Sequence, residues 1–83
     1  MTNKEDIGKV RNLRNLRRIR ENQQLSIRQL AQDLDVNYSL ISYWETGKKF
    51  PRERNRVKLE KYFGVPSSEL FKIDKHENSS LEE

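Results

Sequence analysis

Apolar residues recur in this chain at helical spacing, in segments short enough that each helix can make only a few turns. No segment shows the apolar–polar alternation of a strand that covers a core. Because short helices bury their apolar stripes only against one another, the pattern predicts an all-α fold, a compact bundle of five helices. The first apolar stripe consists of Ile7, Val10, Leu13, Leu16 and Ile19. It predicts a helix that is best defined from about Lys9 to Asn22.

Capping residues define the second and third helices. Ser26 is a favourable N-cap, and Gln29 follows it at the capping-box spacing. Asp35 is expected to end the second helix, because Asp tolerates the left-handed conformation of a sharp turn better than most residues. A third helix is predicted from Tyr38 to Thr46, and the residues expected to cap and stop it are Asn37 and Gly47.

Glycine and proline bound the remaining helices. A fourth helix is predicted from about Arg52 to Phe63 and ended by Gly64, and a short fifth helix begins at Pro66 and Ser67. The side chains expected to face inward on the fourth helix are Val57, Leu59, Tyr62 and Phe63. The predicted division is an N-terminal arm or helix start at 1–8, a domain at 9–73 and a flexible acidic tail at 74–83.

Composition excludes several classes of function. A chain of 83 residues makes one domain, and without cysteine it can form neither a disulfide framework nor a thiolate metal site. Its one histidine, His76, lies in a polar stretch and is expected to be solvated. The acids near the middle of the bundle, Asp33, Asp35 and Glu45, have no histidine or cysteine nearby. We therefore expect no enzyme activity, no metal and no cofactor.

The sequence predicts neither a membrane span nor a signal peptide. No apolar run approaches the roughly 20 residues that a membrane-spanning helix needs. The first residues are polar and lack the apolar stretch of a signal peptide. The expected location is the cytoplasm, with no membrane partner.

Basic residues are concentrated in two segments. Six lie between Lys9 and Arg20 without an acid, and six more lie between Lys48 and Lys58 beside Glu53 alone. The C-terminal stretch is acidic instead, and the net charge of the chain is +4. Two basic segments on one folded core are typical of a protein that binds a polyanion. The alternative is that these charges merely solvate a small protein.

The third helix has the composition of a surface that reads DNA. Leu40, Ile41 and Trp44 share one side and are expected in the core, although an aromatic ring on such a helix can also stack on a base. Tyr43 faces either DNA or the protein surface. The remaining outward side chains form hydrogen bonds or touch thymine methyl groups, as direct readout requires. The predicted base-reading residues are Asn37, Tyr38, Ser39, Ser42 and Tyr43, and the predicted phosphate contacts are Arg28, Lys48, Lys49, Arg52 and Arg54.

A longer series of residues resembles one known family. The series is Leu25-Ser26, Leu30-Ala31, Leu34, Val36, Ile41, Trp44-Glu45-Thr46-Gly47-Lys48-Lys49, Pro51, Leu59, Phe63-Gly64-Val65-Pro66 and Glu69-Leu70. In this register it resembles the phage-repressor and Cro type of helix-turn-helix domain, also called Xre-type, over about residues 10 to 71. The resemblance implies a lambda-repressor-like bundle with the third helix as recognition helix. It also implies a structural salt bridge between Arg20 and Glu45, whereas the residues alone leave both free to face solvent.

Three positions depart from the family pattern. A glutamine that contacts phosphate near the start of the second helix is replaced by Ile27, so that contact passes either to Arg28 or to nothing. The glycine of the turn is replaced by Asp35. The fourth helix begins with charged residues where apolar ones are common, so its start is expected to be exposed and within reach of the DNA backbone.

The resemblance and the charge pattern together predict a transcriptional regulator of double-stranded DNA, expected to act as a repressor. A homodimer would set two recognition helices in successive major grooves. Its contact is expected at Leu70, Phe71 and Ile73, which can equally close the core of the monomer. The alternative functions are an antitoxin that binds DNA and a module that docks a regulatory protein partner.

Overall fold

The computed structural model describes residues 13–74, and the regular secondary structure of this part is helical apart from one isolated antiparallel bridge between Arg14 and Ile73. The five-helix prediction is confirmed for these residues. The predicted N-terminal arm at 1–8 and all of the predicted tail beyond Asp74, including His76, lie outside them. The helices are α1 (Asn15–Asn22), α2 (Ile27–Leu34), α3 (Tyr38–Thr46), α4 (Glu53–Phe63) and α5 (Ser67–Leu70).

The start of α1 differs from the prediction. Leu13 and Arg14 were expected inside the helix, but Arg14 is extended, with φ −99° and ψ 159°. Its backbone N–H donates to the carbonyl of Glu45 (2.8 Å), and the N–H of Asp74 donates to the carbonyl of Leu13 (2.8 Å). The helical spacing of Leu13 was therefore misleading, because distant backbone partners hold this segment extended.

The caps and turns agree with the sequence. The Oγ of Ser26 accepts from the N–H of Gln29 (3.0 Å), and the Oδ1 of Asn37 accepts from the N–H of Ser39 (2.9 Å). Asp35 is left-handed at φ 59°, as is Gly47 at φ 80°. These four predictions are confirmed, because each depends on groups only a few residues apart.

Eight apolar side chains from all five helices form the core. Trp44, at 1% exposure, lies in it as predicted. On α4 the inward prediction is right for Leu59 but wrong for Val57 and Tyr62, which are 39% and 36% exposed. The buried members are Leu16, Leu30, Ala31, Leu34, Ile41, Trp44, Leu59 and Leu70.

The three candidate dimer residues have different surroundings. Leu70 is fully buried in the monomer core, so it cannot contact a second copy without unfolding α5. Phe71 packs partly against that core, and its ring meets the ring of Phe50 edge to face at 6.0 Å. Ile73 is 37% exposed. Of the predicted set, only Phe71 and Ile73 present surface.

The two glycines that end α3 and α4 give a matched stability prediction. Gly47 and Gly64 both have positive φ, so alanine at either position is expected to cost roughly 1–2 kcal/mol of unfolding free energy. A Cβ at Gly47 would also overlap the guanidinium of Arg14, whereas a Cβ at Gly64 meets no atom within 4 Å. Urea denaturation should therefore show the larger loss for Gly47→Ala. Equal losses would mean that Arg14 moves aside without cost.

Candidate nucleic-acid interface

Helices α2 and α3 are joined by a three-residue turn, and local hydrogen bonds set its geometry. The N–H of Val36 donates to the carbonyl of Ala31 (3.0 Å), across the end of α2. Ala31 is buried, and its small side chain lets the two helices cross closely. From α4, the Nζ of Lys58 donates to the carbonyl of Leu34 (2.8 Å). Hydrogen bonds from within the turn and from α4 therefore both hold the end of α2 in place.

The predicted base-reading residues lie on the side of α3 that faces away from the core. Tyr38 is 55% exposed, and Ser42 is also exposed. Ser39 and Tyr43 are half-buried. Asn37 is exposed, but its Oδ1 accepts from both the N–H and the Oγ–H of Ser39. Its carboxamide oxygen is therefore engaged as the cap of α3.

A cation lies over the ring of each outward tyrosine. The guanidinium carbon of Arg28, from α2, is 5.4 Å from the centroid of the Tyr38 ring. The Nζ of Lys49, which follows α3, is 5.0 Å from the centroid of the Tyr43 ring. Both distances are within the range of a cation–π interaction. Two predicted phosphate contacts thus border the outward face of α3 from opposite ends.

The predicted phosphate-contacting residues are all exposed, but they do not form one cluster. Lys49 and Arg52 line a depression beside Leu40 of α3, together with Asn55. Asn55 was not predicted, although its spacing of three from Arg52 places both on one side of α4. Arg54, two residues beyond Arg52, lies on another side of the helix. The exposed set is Arg28, Lys48, Lys49, Arg52 and Arg54.

Arg20 and Glu45 form a buried ion pair that joins α1 to α3. The Nε of Arg20 donates to Oε2 of Glu45 (2.6 Å), and its Nη2 donates to Oε1 (3.1 Å). The remaining nitrogen, Nη1, donates to the carbonyl of Leu25 (2.7 Å). The hydrogen bond to Glu45 raises the pKa of Arg20 above its ordinary value. At 7% and 3% exposure, neither side chain faces a ligand.

Arg14 is a basic residue near α3 that the sequence did not single out. Its guanidinium lies 5.6 Å from the centroid of the Phe50 ring and against Gly47, just beyond the end of α3. Its Nε is buried without a hydrogen-bond partner in residues 13–74. Only the extended conformation of residue 14 brings it here, so helical spacing could not have revealed it.

A surface hydrogen bond also joins α2 to α4. The hydroxyl of Tyr62 donates to Oδ2 of Asp33 (2.6 Å), and the side-chain amide of Gln29 donates to Oδ1 (2.9 Å). These bonds, that of Tyr62 first, lower the pKa of Asp33, and the same bond raises the pKa of Tyr62. Within residues 13–74, no three potential ligands cluster as a metal site. No helix in that range is long and apolar enough to span a membrane.

Comparison with known proteins agrees with this geometry. The chain is 36% identical over 56 residues to the HTH-type transcriptional activator BcrR of Enterococcus faecalis. The matched region covers 68% of this chain and 28% of the relative, so the chain spans little more than a quarter of that protein. No solved structure matches significantly. A family model described as a helix-turn-helix domain matches residues 14–73, which include all five helices, and the chain therefore belongs to the helix-turn-helix domain family.

Proposed function

We propose that this protein is a sequence-specific regulator of transcription that inserts α3 into the major groove of double-stranded DNA. The observation that carries the proposal is the outward face of α3. It presents hydroxyls and rings without formal charge, bordered by the cations of Arg28 and Lys49. Uncharged hydroxyls and rings can contact base edges, and the basic side chains at the borders can contact phosphates.

Repression is the sign of regulation that we propose. A bound domain can block a promoter through its DNA contacts alone, whereas activation needs a further surface for the polymerase. The relative from Enterococcus faecalis is named an activator, and this chain corresponds to 28% of it. A reporter with the operator inside its promoter tests the sign, because repression predicts lower expression when the protein is present.

The functional unit that we propose is a homodimer on a roughly palindromic operator, with half-sites about 34 Å apart. One short recognition helix reads few base pairs, and two-fold symmetry doubles the number read. The exposed apolar surface near the fifth helix supports a contact there. Its members are Phe50, at 60% exposure, with Phe71 and Ile73.

Selection of bound duplexes from a random pool at near-physiological salt tests the proposal. The expected result is an enriched inverted repeat. Tyr38→Ala should then relax the preference at one position by roughly 1 kcal/mol, the lower end of the range for one base pair. The control is Arg52→Ala, beside α3, which should weaken binding to all sequences equally and lower the slope of log K against log salt by about one. A folded protein that enriches no sequence would contradict the proposal and favour a protein partner instead.

A further inference from the structure

The recognition helix lacks the side chains that most often identify purines. Arg or Lys reads guanine through two hydrogen bonds, and Asn or Gln reads adenine in the same way. None of these four residue types occurs between Tyr38 and Thr46. Asn37 precedes the helix, but its Oδ1 already accepts two hydrogen bonds from Ser39. A two-bond contact from Asn37 to adenine would therefore break the cap of α3.

On the outward face of α3, two tyrosines lie on either side of two short serine side chains. Tyr38 and Tyr43 are five residues apart, which separates them by about 7.5 Å along the axis and about 140° around it. Ser39 and Ser42 lie between them, and these short side chains allow the helix backbone to approach the floor of the groove closely. The two rings therefore lie at opposite edges of the outward face of α3, and their axial separation corresponds to about two base-pair steps.

The cations restrict how each ring can be used. Arg28 covers one face of the Tyr38 ring, and Lys49 covers one face of the Tyr43 ring. The exposed parts of the rings that the cations do not cover remain for a ligand. Apart from the phenolic hydroxyls these parts are apolar, and the apolar group on base edges in the major groove of unmodified DNA is the C5-methyl of thymine.

We propose that α3 recognises thymine methyl groups, with Tyr38 and Tyr43 each contacting one thymine in every half-site. This inference rests on the proposed function and adds the chemistry of the operator to it. Discrimination comes from burying the methyl groups against the two rings, and the exposed hydroxyl of Ser42 can hydrogen-bond to any base. Each buried methyl is expected to tighten binding about fourfold, the value for one methylene-sized group.

Replacement of thymine by uracil in the selected operator tests the inference, because uracil differs from thymine only in lacking the methyl group. The full chain is titrated against operators with deoxyuridine at one thymine of the half-site at a time. About fourfold weaker binding is expected at two positions. Deoxyuridine at thymines outside the half-sites is the control, and it should leave the affinity unchanged.

Variants of Tyr38 test whether its ring contacts one of the thymine methyl groups. Tyr38→Phe keeps the ring and should keep the uracil penalty at its position. Tyr38→Ser should remove that penalty, so that thymine and uracil operators bind equally, while the penalty at the Tyr43 position persists. Circular dichroism verifies that both variants fold, as expected for a side chain that is 55% exposed.

Several results would overturn the inference and can be told apart. Three results would refute methyl recognition while leaving sequence-specific binding intact. The selected half-sites could lack thymine, the affinity could be the same for uracil and thymine operators, or the loss of affinity caused by uracil could persist in Tyr38→Ser. If the protein instead preferred guanine at the position assigned to Tyr38, and Arg28→Ala abolished that preference, the base would be recognised by Arg28. Enrichment of no sequence would refute the proposed function, and the inference with it.

Discussion

Glu45→Ala is expected to lower the free energy of unfolding by about 3–5 kcal/mol, because it leaves the buried guanidinium of Arg20 with only the more distant carboxylate of Glu21, at 3.9 Å. Arg20 makes two hydrogen bonds to Glu45, at 2.6 and 3.1 Å, and is 7% exposed. Small domains have total stabilities of about 5–15 kcal/mol. Thermal and urea denaturation followed by circular dichroism should therefore find this variant at the edge of folding.

Two further variants identify the cause of that loss. Glu69→Ala removes one partner of an exposed pair with Lys72, 3.5 Å apart, and should cost less than about 1 kcal/mol. The double variant Arg20→Leu with Glu45→Leu should be more stable than either single leucine variant, because no buried charge is left over. If Glu45→Ala destabilised the protein no more than Glu69→Ala, water or Glu21 would be compensating the charge of Arg20.

Trp44→Ala is expected to cost about 3–5 kcal/mol, because the cavity left by a buried indole cannot close in so small a core. Trp44 is 1% exposed. The matched control is Tyr38→Ala, since the aromatic side chain of Tyr38 is 55% exposed and its removal should change stability far less. Urea denaturation measures both losses.

Tryptophan fluorescence distinguishes packing of Trp44 in the core from stacking of its ring on a DNA base. The chain contains one tryptophan, so all indole emission reports on this site. The native emission should be that of a buried indole, and it should change little on addition of the selected operator. Strong quenching by DNA, or a Trp44→Ala variant of normal stability that no longer binds DNA, would contradict the assignment to the core.

The helix boundaries within the helix-turn-helix could be read from the sequence. Ser26, Asp35, Asn37 and Gly47 occur where the sequence predicts them, because caps and left-handed turns depend on groups within four residues of each other. The outward side of α3 could be read for the same reason, since the positions of Ile41 and its buried neighbours determine which residues remain exposed.

Contacts between distant residues were decided by the tertiary structure alone. Arg14 is extended because residues 45 and 73 pair with its backbone, and no local pattern encodes those partners. The cations over the rings of Tyr38 and Tyr43 could not be predicted from the sequence either, because Arg28 and Lys49 lie outside α3. The pairing of Arg20 with Glu45 was implied by the family resemblance and not by the residues themselves.

The sequence by itself determined the number of helices between residues 13 and 74, the caps of α2 and α3 and the outward face of α3, because these depend on spacing within single segments. Only the tertiary structure decided that Leu70 closes the core and that Val57 and Tyr62 remain exposed. The physical reason is that burial depends on what packs opposite a side chain. For Leu70 that neighbour is the core assembled from the other helices, and the spacing of apolar residues within one helix does not contain this information.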